Sequence, residues 1–374
     1  MSGLTIKGTR SFKDASTSER VFHRRSGPRD VSPLPLWPGH DYTRLFSGYG
    51  SNVTDPAALA ATKPELSLYL NTMEDAWFTI GNGRDGVIFN RDGWLVEEPS
   101  CFRNSELAAP GLNLTAEIAP IVQLDDVFIG TDAAWGNYYH FLCYGVARCH
   151  MANRLVPLSC QLIVPDYDSR LGRSNLAFSR ASYDQAFLLS GLADRVTRLP
   201  PGLYHANTLR FFWTEPHDPI ELFDAPEFLS CFDDIRRFLV TDPAAPRRLL
   251  VSRDAATDPR IGVDARDLVR TMCAARGFAV IRFEELDLRT QAQAVYNADC
   301  IVSPHGAGLI NILFGRDDLR VLELNVELDG NGSMRACFFQ MSALRGQSYM
   351  ALNSSQDEMT PATLARALDI CCGE

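Results

Sequence analysis

The chain has 374 residues, 46% of them hydrophobic, and a net charge of −10 at pH 7. A single hydrophobic core usually stops growing at roughly 250–300 residues, so two domains are predicted. The negative charge opposes a general attraction to nucleic acids or to anionic membranes, and any bound anion therefore requires a local site.

The ten cysteines contain no Cys-x-x-Cys pair, so neither a zinc cluster nor a redox motif is predicted. The N-terminus lacks the apolar segment of a secretory signal, and no apolar run approaches the roughly 18 residues that a membrane span needs. These features predict a cytoplasmic protein with reduced thiols, no nucleic-acid partner and at most peripheral membrane association.

The first 120 residues favour irregular and β structure. Residues 1–45 are polar, rich in Arg and Ser, and end in a Pro-rich stretch, which predicts an irregular arm. Further on, WFTIGNGRDGVIFNRDGWLVEE (77–98) has short apolar runs separated by Gly-Asn-Gly and Asp-Gly turns, a pattern typical of a meander of hairpins.

After residue 120 strands alternate with helices. Apolar periodicity predicts a βαβ unit from strand 127–132, helix 138–155 and strand 161–167. Pro-rich segments later bracket a helix at about 227–240, and the domain boundary is predicted there. The arm would thus be followed by one domain at 46–240 and a second at 241–374.

The second half alternates more regularly, which predicts a parallel, doubly wound sheet. Its predicted strands are 247–253, 278–283, 300–304 and 320–325, and its predicted helices are 264–276, 288–298, 308–314 and 361–371. Thr360 and Pro361 supply an N-cap and a first-turn proline for the last helix.

Three motifs follow strands of this second sheet, at the edge where parallel α/β sheets bind ligands. Ser252-Arg253 follows one strand, His305 to Gly308 follow another, and Glu323 ends a third. A nucleoside diphosphate would suit all three. The two glycines would let backbone N–H groups approach phosphate, Arg253 would add a fixed charge, and Glu323 would accept ribose hydroxyls.

Each motif also has a plain structural interpretation. A Gly-x-Gly turn is often only a tight connection, and here Asn311 stands where a dinucleotide fingerprint has its third glycine. Arg253 could pair with Asp254 or Asp258 on the surface, and a single Glu at a strand end is often solvated.

Taken together, the motifs resemble glycosyltransferase family 61. The likeness rests on LLVSRD (249–254), VSPHGAGLIN (302–311) and VLEL (321–324), with Gln291 fourteen residues before His305. Arg260, Gly277 and Phe278 match as well, and WGNYYHFL (135–142) resembles the family's Asn-x-x-His segment. The chain departs from the family at Val263-Asp264, where an Asn-Glu pair is common.

The resemblance implies an α/β, GT-B-like fold in which two Rossmann-like doubly wound domains face a cleft, here with a β-rich N-terminal extension. It implies an inverting glycosyltransferase that moves a sugar from a nucleoside-diphosphate sugar to a hydroxyl of a glycan or glycolipid acceptor, in capsular or extracellular polysaccharide biosynthesis. Neither a metal nor an organic cofactor is expected. The donor would contact Ser252, Arg253, Gln291, His305, Gly306, Ala307, Gly308, Leu309 and Glu323.

Inversion requires a base for the acceptor hydroxyl and positive charge for the departing diphosphate. Asn137 is a good N-cap, which places His140 in the first turn of its helix, where a neutral ring is favoured and can accept a proton. His140 is therefore the predicted base, although it could merely hydrogen-bond a loop or the substrate. The rival bases are Asp125, Asp126, Asp132 and Asp166.

Other side chains near these motifs have two interpretations each. His305 is expected to contact phosphate, with packing against the Pro304 turn as the alternative. Trp135, Asn137 and Tyr138 are expected to bind the acceptor sugar, whereas aromatic residues at a helix start are often core residues. The Asp-x-Asp of PDYD (165–168) resembles a metal motif but is also a common surface pattern.

Two other functions remain open from the sequence. One is a different nucleotide-dependent Rossmann enzyme, such as an epimerase or oxidoreductase, which would require a more complete glycine fingerprint. The other is a non-catalytic scaffold that binds a glycan.

Overall fold

A computed structural model of the chain describes residues 7–10, 17–25, 27–28, 62–63, 66–81, 86–96, 121–131, 134–170, 178–215, 226–254, 260–325, 327–328, 333–334, 337–354 and 359–374. The protein is a mixed α/β structure, as predicted. It divides into two compact units, one formed by Met1–Arg25 and Glu65–Asp234 and the other by Ser26–Pro64 and Ile235–Glu374. The boundary falls inside a helix of the Pro-flanked region.

The first unit contains one nine-stranded sheet. Its strands are β1 (Gly8–Arg10), β2 (Thr17–Arg24), β5 (Leu66–Ile80), β6 (Val87–Phe89), β7 (Trp94–Val96), β8 (Ile121–Ile129), β9 (Gln161–Pro165), β10 (Val196–Leu199) and β11 (Gly202–Glu215). Two short strands, β3 (Gly27–Pro28) and β4 (Thr62–Lys63), pair with each other in the second unit.

This sheet has a parallel half and an antiparallel half. The order is β1-β7-β6-β5-β11-β8-β9-β10, with β2 also paired to β5. The strands β11, β8, β9 and β10 run parallel, whereas β5 is antiparallel to β11 and continues into the hairpins with β6 and β7. The predicted meander is confirmed, but it extends the Rossmann-like strands within one sheet and does not form a separate extension.

The predicted irregular arm is wrong over three segments, because Gly8–Arg10, Thr17–Arg24 and the two-residue Gly27–Pro28 are strands. Gly8–Arg10 pairs in parallel with β7, and Thr17–Arg24 pairs with the first half of β5. The polar composition of these segments suits strands at the margin of a sheet, where only one neighbour is needed and side chains can stay in water. The part of the arm at 29–45 lies outside the described residues.

The predicted βαβ unit is confirmed as β8, helix α1 and β9, with β8 and β9 parallel. Helix α1 is continuous over three segments: an α-helical Tyr138–His140, a π-helical Phe141–Val146 and an α-helical Ala147–Ala152. Asn137 caps it as predicted, because its side chain accepts a hydrogen bond from the Tyr139 N–H at 2.9 Å. A π-helical turn is rare and often accompanies a functional site.

Helix α1 packs closely on the strand that precedes it. A Cβ atom built on Gly130 would overlap the sulfur of Cys149 and lie 3.2 Å from the Ile163 carbonyl oxygen. Gly130 therefore brings the helix close to β8 and β9. Two more helices complete this part of the chain, α2 (Arg180–Leu189) and α3 (Pro226–Arg236).

The second unit contains a five-stranded parallel sheet, as predicted for the second half. Its strands are β12 (Arg248–Val251), β13 (Ala279–Ile281), β14 (Cys300–Pro304), β15 (Arg320–Asn325) and β18 (Ser348–Asn353). Their order, β13-β12-β14-β15-β18, corresponds to 2-1-3-4-5, one of the two common doubly wound orders. A separate two-stranded ribbon is formed by β16 (Glu327–Leu328) and β17 (Ser333–Met334).

The helices of this unit are α4 (Val263–Ala274), α5 (Leu288–Asn297), α6 (Cys337–Arg345) and α7 (Pro361–Cys372), with a 3₁₀ helix at Ala307–Phe314. Helices α4 and α7 contact each other, whereas the 3₁₀ helix contacts α5 and α6. This grouping is expected when right-handed crossovers leave a central strand in both directions. Strand β18 and helix α6 were not predicted.

The described residues include no helix that is long and apolar enough to cross a membrane. Within the same residues every cysteine is a free, buried thiol.

The close packing at Gly130 gives the first testable expectation. Gly130→Ala should lower the free energy of unfolding by about 1–3 kcal/mol, because the new methyl group must displace Cys149 or move α1 off the sheet. Urea unfolding measures this loss, and Cys149→Ala in the same chain should restore part of it. Gly145→Ala is the matched control, since its methyl group would meet only ordinary contacts at 3.6 Å or more and should leave stability unchanged or slightly raised.

Candidate functional site

The strand order of the second unit reverses between β12 and β14. The chain leaves β12 toward β13 and returns across the sheet to β14, so the loops after these two adjacent strands diverge and leave a crevice at their carboxyl ends. Ser252-Arg253 follows β12, and His305-Gly306 follows β14. The fold thus brings together two of the three motifs that the sequence singled out.

The side chain of Arg253 lies directly against Gly306. A Cβ atom on Gly306 would overlap Nη1 of Arg253 and come within 2.7 Å of its Cζ. The backbone of Gly306 is extended, with φ 167° and ψ 166°, a conformation that any residue can adopt. Glycine is therefore needed here for space and not for conformation, because a side chain would expel the guanidinium.

Gly308 serves a similar purpose one step further along the turn. A Cβ atom there would lie 2.9 Å from Cδ2 of Phe283, a buried residue that follows β13. Both glycines were expected to admit a phosphate to the backbone. In the structure they first admit protein side chains, and the phosphate contact remains a prediction.

The backbone beside Arg253 offers hydrogen-bond donors. The first hydrogen bond of the 3₁₀ helix runs from the Leu309 N–H to the Gly306 carbonyl at 2.9 Å, so the N–H groups of Ala307 and Gly308 precede the helical bonding pattern. They lie at the positive end of the helix, next to a guanidinium. The Leu309 side chain is buried in the core, which limits any ligand contact of that residue to its backbone.

His305 is held on three sides. Its Nδ1 is hydrogen-bonded to Oε1 of Glu323, its backbone N–H donates to the Leu324 carbonyl at 2.9 Å, and its ring lies 5.3 Å from that of Phe338 in α6. The ring is 6% exposed, and Nε2 has no hydrogen-bond partner among the described residues. A carboxylate accepting from Nδ1–H leaves Nε2 as the reactive end of the imidazole.

Glu323 has no exposed surface, and both of its carboxylate oxygens are engaged. Oε1 meets His305, and Oε2 accepts a hydrogen bond from the hydroxyl of Tyr349. The pairing of β15 with β18 aligns Glu323 with Ala351, so Tyr349 lies diagonally across on the same face of the sheet. The expected role of Glu323 as an open acceptor for ribose hydroxyls does not fit these contacts, which make it the partner of His305.

Burial and the neighbouring Glu323 carboxylate raise the pKa of Tyr349 well above its ordinary value. The phenol therefore stays protonated and remains a donor to Glu323 over the physiological range. The sequence interpretation missed Tyr349 because it did not find β18. The apolar run at 349–352, between Gly346 and Asn353, was the available signal.

Gln291 stabilises the turn at residues 305–308 through hydrogen bonds within the protein. Its amide donates to the Leu286 carbonyl and accepts from the side chain of Asn311, both at 2.8 Å. Asn311 in turn donates to the Gly308 carbonyl at 2.9 Å. Gln291 is buried and was expected to touch the donor, but these bonds direct its amide to the protein. Asn311, which stands at the position of the missing third glycine, therefore stabilises the turn that contains Gly308.

Two further arginines and one acid line the surface next to Arg253. Asp254 pairs with Arg270 and, at 3.5 Å, with Arg266, both in α4. Its backbone N–H donates to the buried Ser252 hydroxyl at 3.3 Å. A depression in the surface is lined by these residues together with Arg253, Ile261 and Pro304. Asp254 is thus occupied by α4, and Asp258 lies outside the described residues.

In the first unit, His140 lies in the first turn of α1, as predicted. Its half-buried ring is 5.3 Å from the ring of Tyr139 and 5.2 Å from that of Tyr144. Asn137 is exposed, and its side-chain oxygen accepts the hydrogen bond that caps the helix. The arrangement leaves the role of His140 as base a prediction.

Trp135 and Tyr138 do not form an open sugar-binding platform. Trp135 is 1% exposed and Tyr138 is 3% exposed. Their rings pack in an aromatic cluster with Phe178, Tyr183 and Phe141. The expectation that they bind the acceptor is therefore corrected, because aromatic residues at this helix start serve the core.

Two of the four rival bases, Asp125 and Asp126, are engaged. Asp126 is bidentate with Arg210 at 2.9 and 3.2 Å, and Asp125 accepts from Asn207 at 3.0 Å. Asp166 directly follows β9 and is half-buried, and Asp132 lies outside the described residues. Asp168 of the PDYD motif pairs with Arg180. Within the described part of the chain, no three His, Cys, Asp or Glu side chains are grouped so that they could hold a metal ion.

Tyr349→Phe should lower the free energy of unfolding by about 1.5–3 kcal/mol, because it removes a hydrogen bond from a buried carboxylate. Tyr183→Phe is the matched control, since the hydroxyl of Tyr183 donates to a neutral carbonyl, that of Pro165, at 2.6 Å and its loss should cost about 0.5–1.5 kcal/mol. Equal losses in the two variants would contradict a charged partner for Tyr349.

The pKa of Tyr349 adds a dependence on pH. Above about pH 10 the unfolded tyrosine loses its proton while the folded one keeps it, so the free energy of unfolding should fall as the pH rises. Urea unfolding between pH 9 and 11 should show a smaller fall for Tyr349→Phe than for the wild type.

A comparison with known families gives one match. The family model described as Glycosyltransferase 61 matches residues 138–322. The match begins at the first residue of α1 and ends in β15, so it includes His140, Arg253 and the His305 turn. No curated protein matches the chain. Residues 138–322 therefore form a segment of glycosyltransferase family 61, which supports a glycosyltransferase.

Proposed function

We propose that the protein is an inverting glycosyltransferase with a GT-B layout that transfers a sugar from a nucleoside-diphosphate sugar to a hydroxyl of a glycan or glycolipid acceptor. The second unit binds the donor and the first unit binds the acceptor. The family assignment supports the reaction class, and the sequence resemblance to family 61 is the basis for inversion and for the layout.

The contact between Arg253 and Gly306 carries the proposal. It places a permanent positive charge beside the N–H groups of Ala307 and Gly308, at the point where the strand order reverses. A guanidinium and free backbone donors are the groups that bind a diphosphate best, and they also stabilise it as a leaving group. The nearby Arg266 and Arg270 add positive charge, offset in part by Asp254.

His305 is the second element of the donor site. With Nδ1–H donated to Glu323, Nε2 accepts a proton from a hydroxyl when the ring is neutral and donates one to a phosphate oxygen when the ring is an imidazolium. We assign it to the diphosphate, because it adjoins Gly306 and Arg253. His140 remains the proposed base for the acceptor hydroxyl, since it lies half-buried at the start of α1 in the other unit.

The reaction proceeds without a bound metal in this proposal. The arginine and backbone donors would carry the charge that Mg²⁺ carries in other glycosyltransferases. We place the enzyme in the cytoplasm, in the synthesis of capsular or extracellular polysaccharide, with at most peripheral contact to a membrane that holds a glycolipid acceptor. The free, buried thiols of the described cysteines support a reducing compartment.

Binding of nucleoside diphosphates tests the donor site. Purified protein should be stabilised by UDP, GDP or another nucleoside diphosphate, by about 2.7 kcal/mol at a hundredfold excess over Kd. Arg253→Met should weaken that binding by roughly 10- to 100-fold, since it removes charge-assisted hydrogen bonds. Gly306→Ala should weaken it as well by displacing the guanidinium.

Arg316→Met is the control for the loss of one arginine. Arg316 precedes β15 at the amino end of the sheet, where it pairs with Asp299 and Asp318. This variant should bind the nucleotide normally. Wild-type affinity in Arg253→Met, measured by calorimetry, would remove the basis for the donor site.

Turnover separates an enzyme from a scaffold. Slow hydrolysis of the donor sugar, or transfer to an oligosaccharide, should fall about 10²- to 10⁴-fold in His140→Gln if this residue is the base, with nucleotide binding retained. The anomeric configuration of the first product, determined by proton NMR, tests inversion. Binding without turnover for every donor tried would favour a glycan-binding scaffold.

A further inference from the structure

Helix α1 carries a row of three side chains spaced four residues apart. The ring of His140 lies 5.2 Å from the ring of Tyr144, and the guanidinium carbon of Arg148 lies 4.9 Å from the same ring. The imidazole and the guanidinium are therefore no more than about 10 Å apart. Gly145 and Cys149, each one residue further along the helix, lie against Gly130 at the end of β8, so the row lies on a neighbouring side of α1 and not on the one that meets Gly130.

Arg148 is buried, and no counter-charge pairs with it among the residues that the structure describes. It is 7% exposed, its Nε has no hydrogen-bond partner, and no carboxylate of the described residues forms an ion pair with it. The nearby Asp234 is used by His150, at 2.7 Å, and by Arg154, at 3.7 Å. Within the described part of the chain, the guanidinium thus has the face of Tyr144 as its partner.

Such an arrangement is costly for the unliganded protein. A guanidinium stays charged at any physiological pH, and removal of its water without an opposite charge is strongly unfavourable. Contact with the Tyr144 ring offsets part of this cost. A bound anion would offset the remainder, and the planar fork of arginine suits the two oxygens of a carboxylate or phosphate.

We propose that Arg148 binds an oxyanion of the acceptor, so that the acceptor class is an acidic glycan or a phosphorylated one. An anion on Arg148 would hold the acceptor along the row and within reach of His140. The inference rests on the proposed function only in calling this molecule the acceptor. The anion site itself depends on Arg148 and Tyr144.

The test uses three small probes at constant ionic strength: glucuronate, inorganic phosphate and the neutral sugar glucose. Glucuronate or phosphate should stabilise the wild-type protein against thermal unfolding, and glucose should not. The anion that acts identifies the source, a carboxylate sugar or a phosphate. Arg148→Met should reduce the affinity for that anion by roughly 10-fold or more.

Arg154→Met is the matched control, because Arg154 lies just beyond α1 with half of its side chain exposed. It should keep the anion effect. The absence of any anion effect in the wild type, or the same effect in Arg148→Met, overturns the proposal. Without an anion, Arg148→Met should fold and be at least as stable as the wild type, since a buried charge is removed. Failure of this variant to fold would show that Arg148 is structural and would also overturn it.

Two variants distinguish the failure of this anion site from the failure of the proposed donor site. UDP binding should depend on Arg253 and be retained in Arg148→Met. Glucuronate or phosphate stabilisation that depends on Arg148 should be retained in Arg253→Met. Loss of only one of these dependences therefore shows which of the two proposals has failed.

Discussion

The proposed donor site depends on the absence of one side chain. Arg253 and Gly306 are far apart in sequence and meet because the strand order reverses between β12 and β14. The guanidinium lies where the Cβ of any other residue at 306 would be. A mutation to alanine would change no charge and no backbone angle, yet it would exclude the arginine. The position of the guanidinium therefore depends on packing against residue 306, and its charge can act on a ligand only if that space is left open.

The buried carboxylate of Glu323 imposes a second constraint. An isolated carboxylate in a protein core would take up a proton or destabilise the fold, so it requires donors for both oxygens. His305 and Tyr349 supply them from the strands on either side of β15. One acid therefore links three adjacent strands, orients the imidazole and leaves Nε2 as its other nitrogen for a ligand.

The sequence predicted more of the fold than of the contacts. Apolar periodicity located the βαβ unit and four of the five strands of the second sheet, because strand and helix periods are local properties. The residue type of Asn137 also predicted the N-cap of α1 correctly. The sequence interpretation assigned Gln291, Glu323 and Trp135 to ligands, whereas their partners are Asn311, His305 and an aromatic cluster. Those partners come from other elements, so only the register and packing of the folded chain could reveal them.

Tyr349 contributes to the site although it lies outside the segment that matches the family. The family match stops at Leu322, one residue before Glu323, while the hydroxyl that completes this carboxylate comes from β18. The parallel pairing of β15 and β18 puts Tyr349 on the same face as Glu323, two residues from the aligned Ala351. A chain that kept the histidine turn but placed an apolar residue at this diagonal position would leave one carboxylate oxygen without a donor. The orientation of His305 therefore depends on a strand outside the matched segment, and the functional unit is the whole five-stranded sheet.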